Sequence, residues 1–181
     1  MEFVNEKQAR VVSLVPSWTK TLLWAGVSVV GRTRFCIHPT EKVRSIPALG
    51  GTKGIDVEKL IALKPDFVVL DREENKKEMA DQLLQFGIQI LVSHVVDFAS
   101  AAQFLEEMSQ AFKSEKLKSI SKRYLNLSPI DPRIFLQKIL IEGEWLDLSP
   151  DAIEYVIWKN PYMVIGQSTF IAEVLKQGGL E

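Results

Sequence analysis

The amino-acid sequence alternates short strand-like runs with helix-like segments over its first half, and this alternation limits the fold more than any single motif. The run DFVVL at 66–70 is continuously apolar, which is typical of a strand covered on both faces of a parallel sheet. Three further strands are predicted at 10–16, 28–33 and 88–93, and a helix at 76–86 precedes the last of them. Repeated strand–helix–strand order favours right-handed crossovers in an open parallel sheet. The sequence therefore predicts an α/β fold with a three-layer α/β/α lobe.

Two polar residues are predicted to begin helices in this region. Ser17 is the expected N-cap of a helix at 17–26, and Asp56 is the expected N-cap of a second helix that Pro65 closes. Trp24 lies within the first of these helices and is expected to pack in the core. Each helix would therefore return the chain to the next parallel strand.

The pattern changes at residue 97. The segment 97–127 contains neither glycine nor proline and keeps apolar residues near helical spacing, which predicts one long helix or a nearly continuous one. We therefore expect three parts: an α/β lobe at 1–96, a bridging helix at 97–127, and a second, incomplete α/β lobe at 128–181. A final helix in the second lobe would be capped by Ser168 or Thr169.

Composition excludes several classes of protein. Lys plus Arg number 22 and Asp plus Glu number 23, so a net charge of −1 provides no field to attract nucleic acid. No stretch approaches the roughly 20 apolar residues of a membrane span, so no membrane insertion is expected. Cys36 is the only cysteine, which rules out an intrachain disulfide. The first residues include acidic side chains and no long apolar core, so either the protein is cytosolic or a signal was removed.

Four loops are expected to meet at one edge of the sheet. Open parallel sheets bind ligands at the carboxyl ends of their strands, where the segments VPSWT, TRFCIHP, GGTK and DREEN would converge. The glycines of GGTK let the backbone turn tightly beside a ligand. The candidate ligand-contacting residues at this edge are Pro16, Ser17, Trp18, Phe35, His38, Gly51, Thr52 and Lys53.

Some of these candidates have two interpretations. Trp18 and Phe35 offer flat apolar surfaces to a macrocycle, but such side chains also pack in cores. His38 is a candidate axial ligand to a chelated metal, or else a loop residue. Cys36 is better explained as a buried thiol, and His94 as a satisfied residue at the edge of the sheet. The sequence therefore predicts no dedicated metal site.

Several of these motifs, taken in order, resemble one family. RVVSLVPSWTKTLLWAGV, VGRTRFCIHP, GGTKGIDVEKLIALKPDFVVLDREEN and NPYMVIGQSTFIAEVL are similar to the substrate-binding proteins of ABC importers for vitamin B12, haem and iron siderophores. The match is with the cobalamin-binding branch of the helical-backbone metal receptors, and it extends from about Arg10 to Gly179. The resemblance implies two α/β lobes bridged by a single helix, with a corrin or another metal chelate held between them and no resident cofactor.

The resemblance also implies a location and a length. Receptors of this family are periplasmic or attached to the cell surface, whereas the lack of a signal in this sequence also allows a cytoplasmic location. Family members continue past the equivalent of VLKQGGLE, so the second lobe is expected to be truncated.

Acidic residues after the 66–70 strand have a functional and a structural interpretation. Family receptors present glutamates to arginines of the membrane permease, and Glu74 and Glu78 are the candidates for this docking role. The alternative is a solvated helix start, where carboxylates are favoured by the helix dipole.

Sequence motifs of common enzymes are missing. The chain has no G-x-S-x-G, G-x-x-x-x-G-K-[ST] or G-x-G-x-x-G pattern, and its two histidines and one cysteine are too few for a catalytic triad. We therefore expect a solute receptor rather than an enzyme. This receptor would capture a cobalamin-like corrinoid or an iron chelate and deliver it to an ABC permease. The alternative is a cytosolic enzyme or chaperone of corrinoid or metal-chelate metabolism that retains the receptor fold.

Overall fold

A computed structural model describes residues 8–127 and 155–178. The strands are β1 Arg10–Ser13, β2 Ser28–Arg32, β3 Phe67–Asp71, β4 Gln89–Ser93, β5 Val156–Trp158 and β6 Met163–Val164. The helices are α1 Pro16–Ala25, α2 Thr40–Val43, α3 Val57–Ala62, α4 Lys77–Gln85, α5 Phe98–Ala111, α6 Glu115–Leu125 and α7 Phe170–Gln177. Among these described elements, no helix is long and apolar enough to cross a membrane.

The first four strands form one parallel sheet in the order β2-β1-β3-β4. β1 and β3 are its central strands, and Val12, Val68 and Leu70 in them are almost fully buried. They belong to a core cluster that also includes Leu14, Leu49, Leu60, Leu83 and Ile88. The predicted α/β class and the open parallel sheet are confirmed.

Contacts between residues group the protein into two compact units. The first contains the described residues up to His94 together with Phe104–Ser119, and the second contains Val95–Gln103 and the described residues from Ile120 onward. The predicted boundaries at 96 and 127 stay a prediction.

The start of α1 differs from the prediction. Val15, not Ser17, occupies the N-cap position, with extended backbone angles and no side-chain capping bond. Pro16 is the first helical residue, where its fixed φ suits the helix and its missing N–H has no intrahelical partner to lose. Ser17 is thus already inside the helix. The predicted cap of α3 is confirmed, since the Asp56 side chain accepts a hydrogen bond from the Lys59 amide.

Trp24 was expected in the core, but its side chain is 59% exposed. α1 buries Thr19, Leu22 and Leu23, and successive helical residues point about 100° apart, so the side chain after Leu23 leaves the buried face. The Lys116 ammonium lies 5.9 Å from the centre of the indole ring.

The expected single helix at 97–127 is two helices, α5 and α6. The break lies between Ala111 and Glu115, where Lys113 adopts a positive φ of 50°. Ser114 then caps the second helix, because its hydroxyl accepts a hydrogen bond from the Leu117 amide at 3.4 Å. The helix is therefore interrupted rather than continuous, and helix occupies most of the predicted range.

The second unit contains a small antiparallel pair and a helix. β5 pairs with β6, and α7 begins after Thr169, whose hydroxyl accepts a hydrogen bond from the Ala172 amide and so confirms the predicted cap. In the same unit the Phe98 ring packs edge-on against those of Tyr124 and Phe170. Residues 128–154 of the predicted second lobe lie outside the described residues.

Candidate functional site

The carboxyl ends of four parallel strands define one rim of the first unit. The strands end at Ser13, Arg32, Asp71 and Ser93. From β1 the chain adds β2 on one side and β3 on the other, so the strand order reverses between β1 and β3. Ligands of open α/β sheets bind outside the carboxyl ends at such a reversal. A ligand site is therefore expected first in the segments that follow β1 and β3.

Trp18 lies in the first turn of α1, directly after β1. Its indole N–H donates a hydrogen bond to the Ser93 hydroxyl at 2.9 Å, across the rim. Its ring packs against that of Phe104, with 5.1 Å between centroids and 51° between planes. Trp18 is half-buried, so it combines the two interpretations of the sequence: part of it is packed and part is available at the rim.

Asp71 receives hydrogen bonds from two directions at the end of β3. One carboxylate oxygen accepts the Ser93 hydroxyl at 2.7 Å. The other oxygen accepts the backbone amides of Glu73 at 2.9 Å and Glu74 at 3.3 Å. The side chain therefore joins β4 to the turn that follows β3.

Asn75 connects this turn to the GGTK segment, a role that the sequence did not reveal. Its side-chain oxygen accepts the Asp71 amide at 2.8 Å, and its side-chain nitrogen donates to the Thr52 carbonyl at 2.9 Å. One amide side chain thus holds two rim segments together.

The GGTK segment also contacts the loop after β2. The Gly50 carbonyl accepts the Arg34 amide at 2.8 Å. The Arg34 guanidinium lies 4.9 Å from the centre of the Phe35 ring, and both side chains border Gly51. The Phe35 side chain is 50% exposed. The structure therefore brings Phe35, Gly51 and Thr52 together at the rim.

The other candidate residues are not drawn into this arrangement by a described hydrogen bond. His38, Ser17 and Lys53 are exposed, and Pro16 is half-buried at the start of α1. Within the described part of the chain, no cluster of three or more His, Cys, Asp or Glu residues could hold a metal ion. His38 as an axial ligand to a chelated metal stays a prediction.

Cys36 is a buried thiol, as the sequence favoured. Its side chain is 1% exposed, and the hydroxyls of Thr19 and Thr33 each lie 3.1 Å from its sulfur. His94 follows β4 at the rim, where its ring lies 3.9 Å from the exposed Glu73 carboxylate.

The two candidate docking glutamates differ in their surroundings. Glu78 is exposed in the first turn of α4, as expected. Glu74 is half-buried, and its backbone amide donates a hydrogen bond to the Asp71 carboxylate at 3.3 Å. Burial raises the pKa of the Glu74 carboxyl, and the neighbouring Asp71 charge raises it further.

Glu74→Gln is expected to raise the melting temperature at about pH 7. A carboxyl whose pKa is higher in the folded protein holds its proton more tightly when folded, so ionising it disfavours folding as pH rises past its unfolded pKa. Below that value both states are protonated, so the gain should disappear near about pH 4. Thermal unfolding across this pH range measures the effect.

Glu78→Gln is the matched control for this substitution. Glu78 is exposed in a first helical turn, where negative charge is favourable, so its neutralisation should not raise the melting temperature. A Glu74→Gln gain that stayed constant with pH would contradict the ionisation argument.

Comparison with known proteins identifies relatives for most of the chain. The sequence model of a family described as periplasmic binding protein matches residues 3–116. The vitamin B12-binding protein of Salmonella typhimurium strain LT2 is 29% identical over 173 residues, which cover 95% of this chain and 61% of that protein. This chain therefore spans less than two thirds of the length of that relative.

Solved structures show the same fold. A periplasmic vitamin B12-binding protein of Vibrio cholerae matches with a TM-score of 0.71 at 20% identity, over 95% of this chain and 64% of the other. A periplasmic heme-binding protein from Roseiflexus sp. RS-1 also gives a TM-score of 0.71, at 17% identity, over 97% of this chain and 66% of the other. These similarities support the fold.

Proposed function

We propose, because this chain belongs to the periplasmic binding protein family, that it binds a corrinoid or another metal chelate as the substrate-binding protein of an ABC importer. The proposed location is the periplasm or the cell surface, and the proposed partner is the importer's permease. The ligand is cargo, so the protein needs no resident cofactor for this role.

One observation carries the proposal: the segments that follow β1, β2 and β3 are linked by hydrogen bonds at a single rim, next to the reversal of strand order. Asn75 joins the β3 turn to GGTK, and Arg34 joins GGTK to the β2 loop. The Phe35 ring lies beside the small Gly51 at this rim, and the half-buried Trp18 ring follows β1. Flat apolar surface with a few fixed polar groups suits a planar macrocycle.

The relatives favour a binding protein over the alternative class. The Salmonella and Vibrio relatives are described as binding vitamin B12, and the Roseiflexus structure as binding heme. Nothing in these comparisons favours a cytosolic enzyme or chaperone of corrinoid metabolism. We therefore propose that the chain binds and releases its ligand without chemical change.

Permease docking is proposed for the acidic residues that follow β3. Glu78 is exposed at the start of α4, where a permease arginine has free access to its carboxylate. Glu74 is half-buried beside Asp71, so its part in docking would be smaller.

Titration with aquocobalamin, hemin and a ferric siderophore tests the proposed function. Saturable binding of at least one of the three, followed by absorbance and calorimetry, is the expected result, with the Salmonella relative as the positive control. The His38→Ala variant adds a spectroscopic arm: if His38 ligates the metal, the visible spectrum of the complex should change along with the affinity. Absence of binding to all three ligands would reject the proposal, and an unchanged spectrum would leave His38 a loop residue.

A further inference from the structure

We propose that Asp71, Ser93 and Asn75 form a positioning network that holds Trp18 and the GGTK segment as one ligand-facing surface. This inference rests on the proposed function, because it assigns roles to three residues whose hydrogen bonds hold the proposed ligand-contacting residues. None of the three was a candidate for ligand contact in the sequence. Each acts through another residue that lies at the rim.

The direction of the hydrogen bonds makes the Trp18 orientation depend on Asp71. Ser93 is 0% exposed and has one hydroxyl proton, which points to the carboxylate oxygen of Asp71 at 2.7 Å rather than to the Leu70 carbonyl at 3.2 Å. A carboxylate is the stronger acceptor, so it fixes the hydroxyl direction. The lone pairs of Ser93 are then free to accept the indole N–H of Trp18 at 2.9 Å.

The Trp18 ring has two attachments that together fix its plane. Phe104 packs against the ring, and Ser93 holds its N–H end. Packing alone permits the ring to tilt, whereas a directional bond at the edge selects one orientation. Loss of the Ser93 acceptor would also leave a half-buried N–H without its partner.

Asn75 extends the same network to the second rim segment. Its side-chain oxygen accepts the backbone amide of Asp71, and its side-chain nitrogen donates to the Thr52 carbonyl. Both polar ends are therefore used, and an aspartate at this position would place an acceptor against the Thr52 carbonyl. Through Asp71 the network connects Trp18 to Thr52, although these residues belong to separate segments.

A double-mutant cycle between Trp18→Phe and Ser93→Ala tests the proposal. Ser93→Ala should shift the indole N–H resonance of Trp18 in an NMR spectrum without ligand, where Trp18→Phe identifies that resonance. The same substitution should weaken ligand binding about 3- to 10-fold, the usual range for one hydrogen bond. In the Trp18→Phe background, which already lacks the N–H, Ser93→Ala should change the affinity little.

Controls separate positioning from general stability. Ser109→Ala removes another buried hydroxyl bond, to the Glu106 carbonyl at 2.8 Å, and should leave both the Trp18 resonance and the affinity unchanged. If Ser93→Ala does not fold, Asp71→Asn replaces it, because this variant keeps the size of the side chain and removes its charge. Asn75→Asp should weaken binding without moving the Trp18 resonance as far as Ser93→Ala does.

Three results would overturn the proposal. The first is an unmoved Trp18 resonance in Ser93→Ala, and the second is an equal loss of affinity on Ser93→Ala in the wild-type and Trp18→Phe backgrounds. The third is a lower melting temperature of Ser93→Ala with unchanged affinity. If the wild-type chain binds none of the three ligands, the proposed function fails. In that case the Trp18 indole N–H resonance in Ser93→Ala still tests the network. A shift of this resonance supports the positioning of Trp18, and an unmoved resonance rejects it.

Discussion

Gly50→Ala is expected to unfold the GGTK segment and to reduce ligand binding strongly. Gly50 has a φ of 127°, which residues with a side chain rarely adopt, and holding such a residue there costs about 1–3 kcal/mol. A Cβ at this position would also overlap the Gly54 carbonyl, which itself accepts the Gly51 amide. Because the Gly50 carbonyl accepts the Arg34 amide, the damage should reach the Phe35 loop. Ligand titration and thermal unfolding measure the two effects.

Gly51→Ala is the matched control one residue away. A Cβ there would lie 3.4 Å from the Phe35 ring, which is ordinary van der Waals contact, and Gly51 does not need a positive φ. We expect a change in folding free energy within about 0.5 kcal/mol for this variant. Equal changes in melting temperature for the two substitutions would show that the backbone at Gly50 does not hold the rim.

Glu78→Lys is expected to abolish association with the permease while leaving ligand affinity nearly unchanged. The side chain is exposed in the first turn of α4, and, if the proposed docking holds, a reversed charge would face the permease arginines instead of pairing with them. The association should also weaken with salt, since exposed charges are screened over about 8 Å at physiological ionic strength. Transport in cells and co-purification with the permease are the measurements. In the double variant, Glu74→Lys should weaken permease association less than Glu78→Lys does, because Glu74 is half-buried beside Asp71.

Glu58→Lys provides the control for charge reversal in a first helical turn. Glu58 is exposed at the start of α3, so its reversal carries the same unfavourable interaction with a helix dipole. Transport should survive this substitution. Transport that also survived Glu78→Lys would return Glu78 to the role of a solvated helix start, and a loss of ligand affinity would place it in the binding site.

The strands could be predicted because burial in a parallel sheet leaves a strong local signal. DFVVL was assigned to 66–70, and the structure shows Phe67–Asp71, one residue later. The shift arises because hydrogen bonding sets the end of a strand: Asp71 is polar but still pairs with Ser93 in register. The caps at Asp56 and Thr169 were predicted for a similar reason, since each bonds an amide three residues ahead.

Features that depend on distant contacts were not predictable. Trp18 and Ser93 are 75 residues apart, and Asn75 and Thr52 are 23 apart, so no local pattern links them. The break in the long helix has no glycine or proline, and Lys113 adopts its positive φ without a sequence signal of that kind. For the candidate site, the sequence located the rim segments through the ends of the strands but not the side chains that join them.

The discontinuous first unit has a consequence for synthesis on the ribosome. Its sheet is complete once Ser93 has emerged, yet four buried apolar residues of the same unit come later, namely Phe104, Leu105, Met108 and Leu117. The rings of Trp18 and Phe67 likewise find their partners in Phe104 and Phe112. A nascent chain that stops near residue 94 would therefore expose apolar surface that later residues normally cover, and such intermediates are prone to aggregate. We therefore expect the nascent chain to be prone to aggregate until residues 104–119 have left the ribosome.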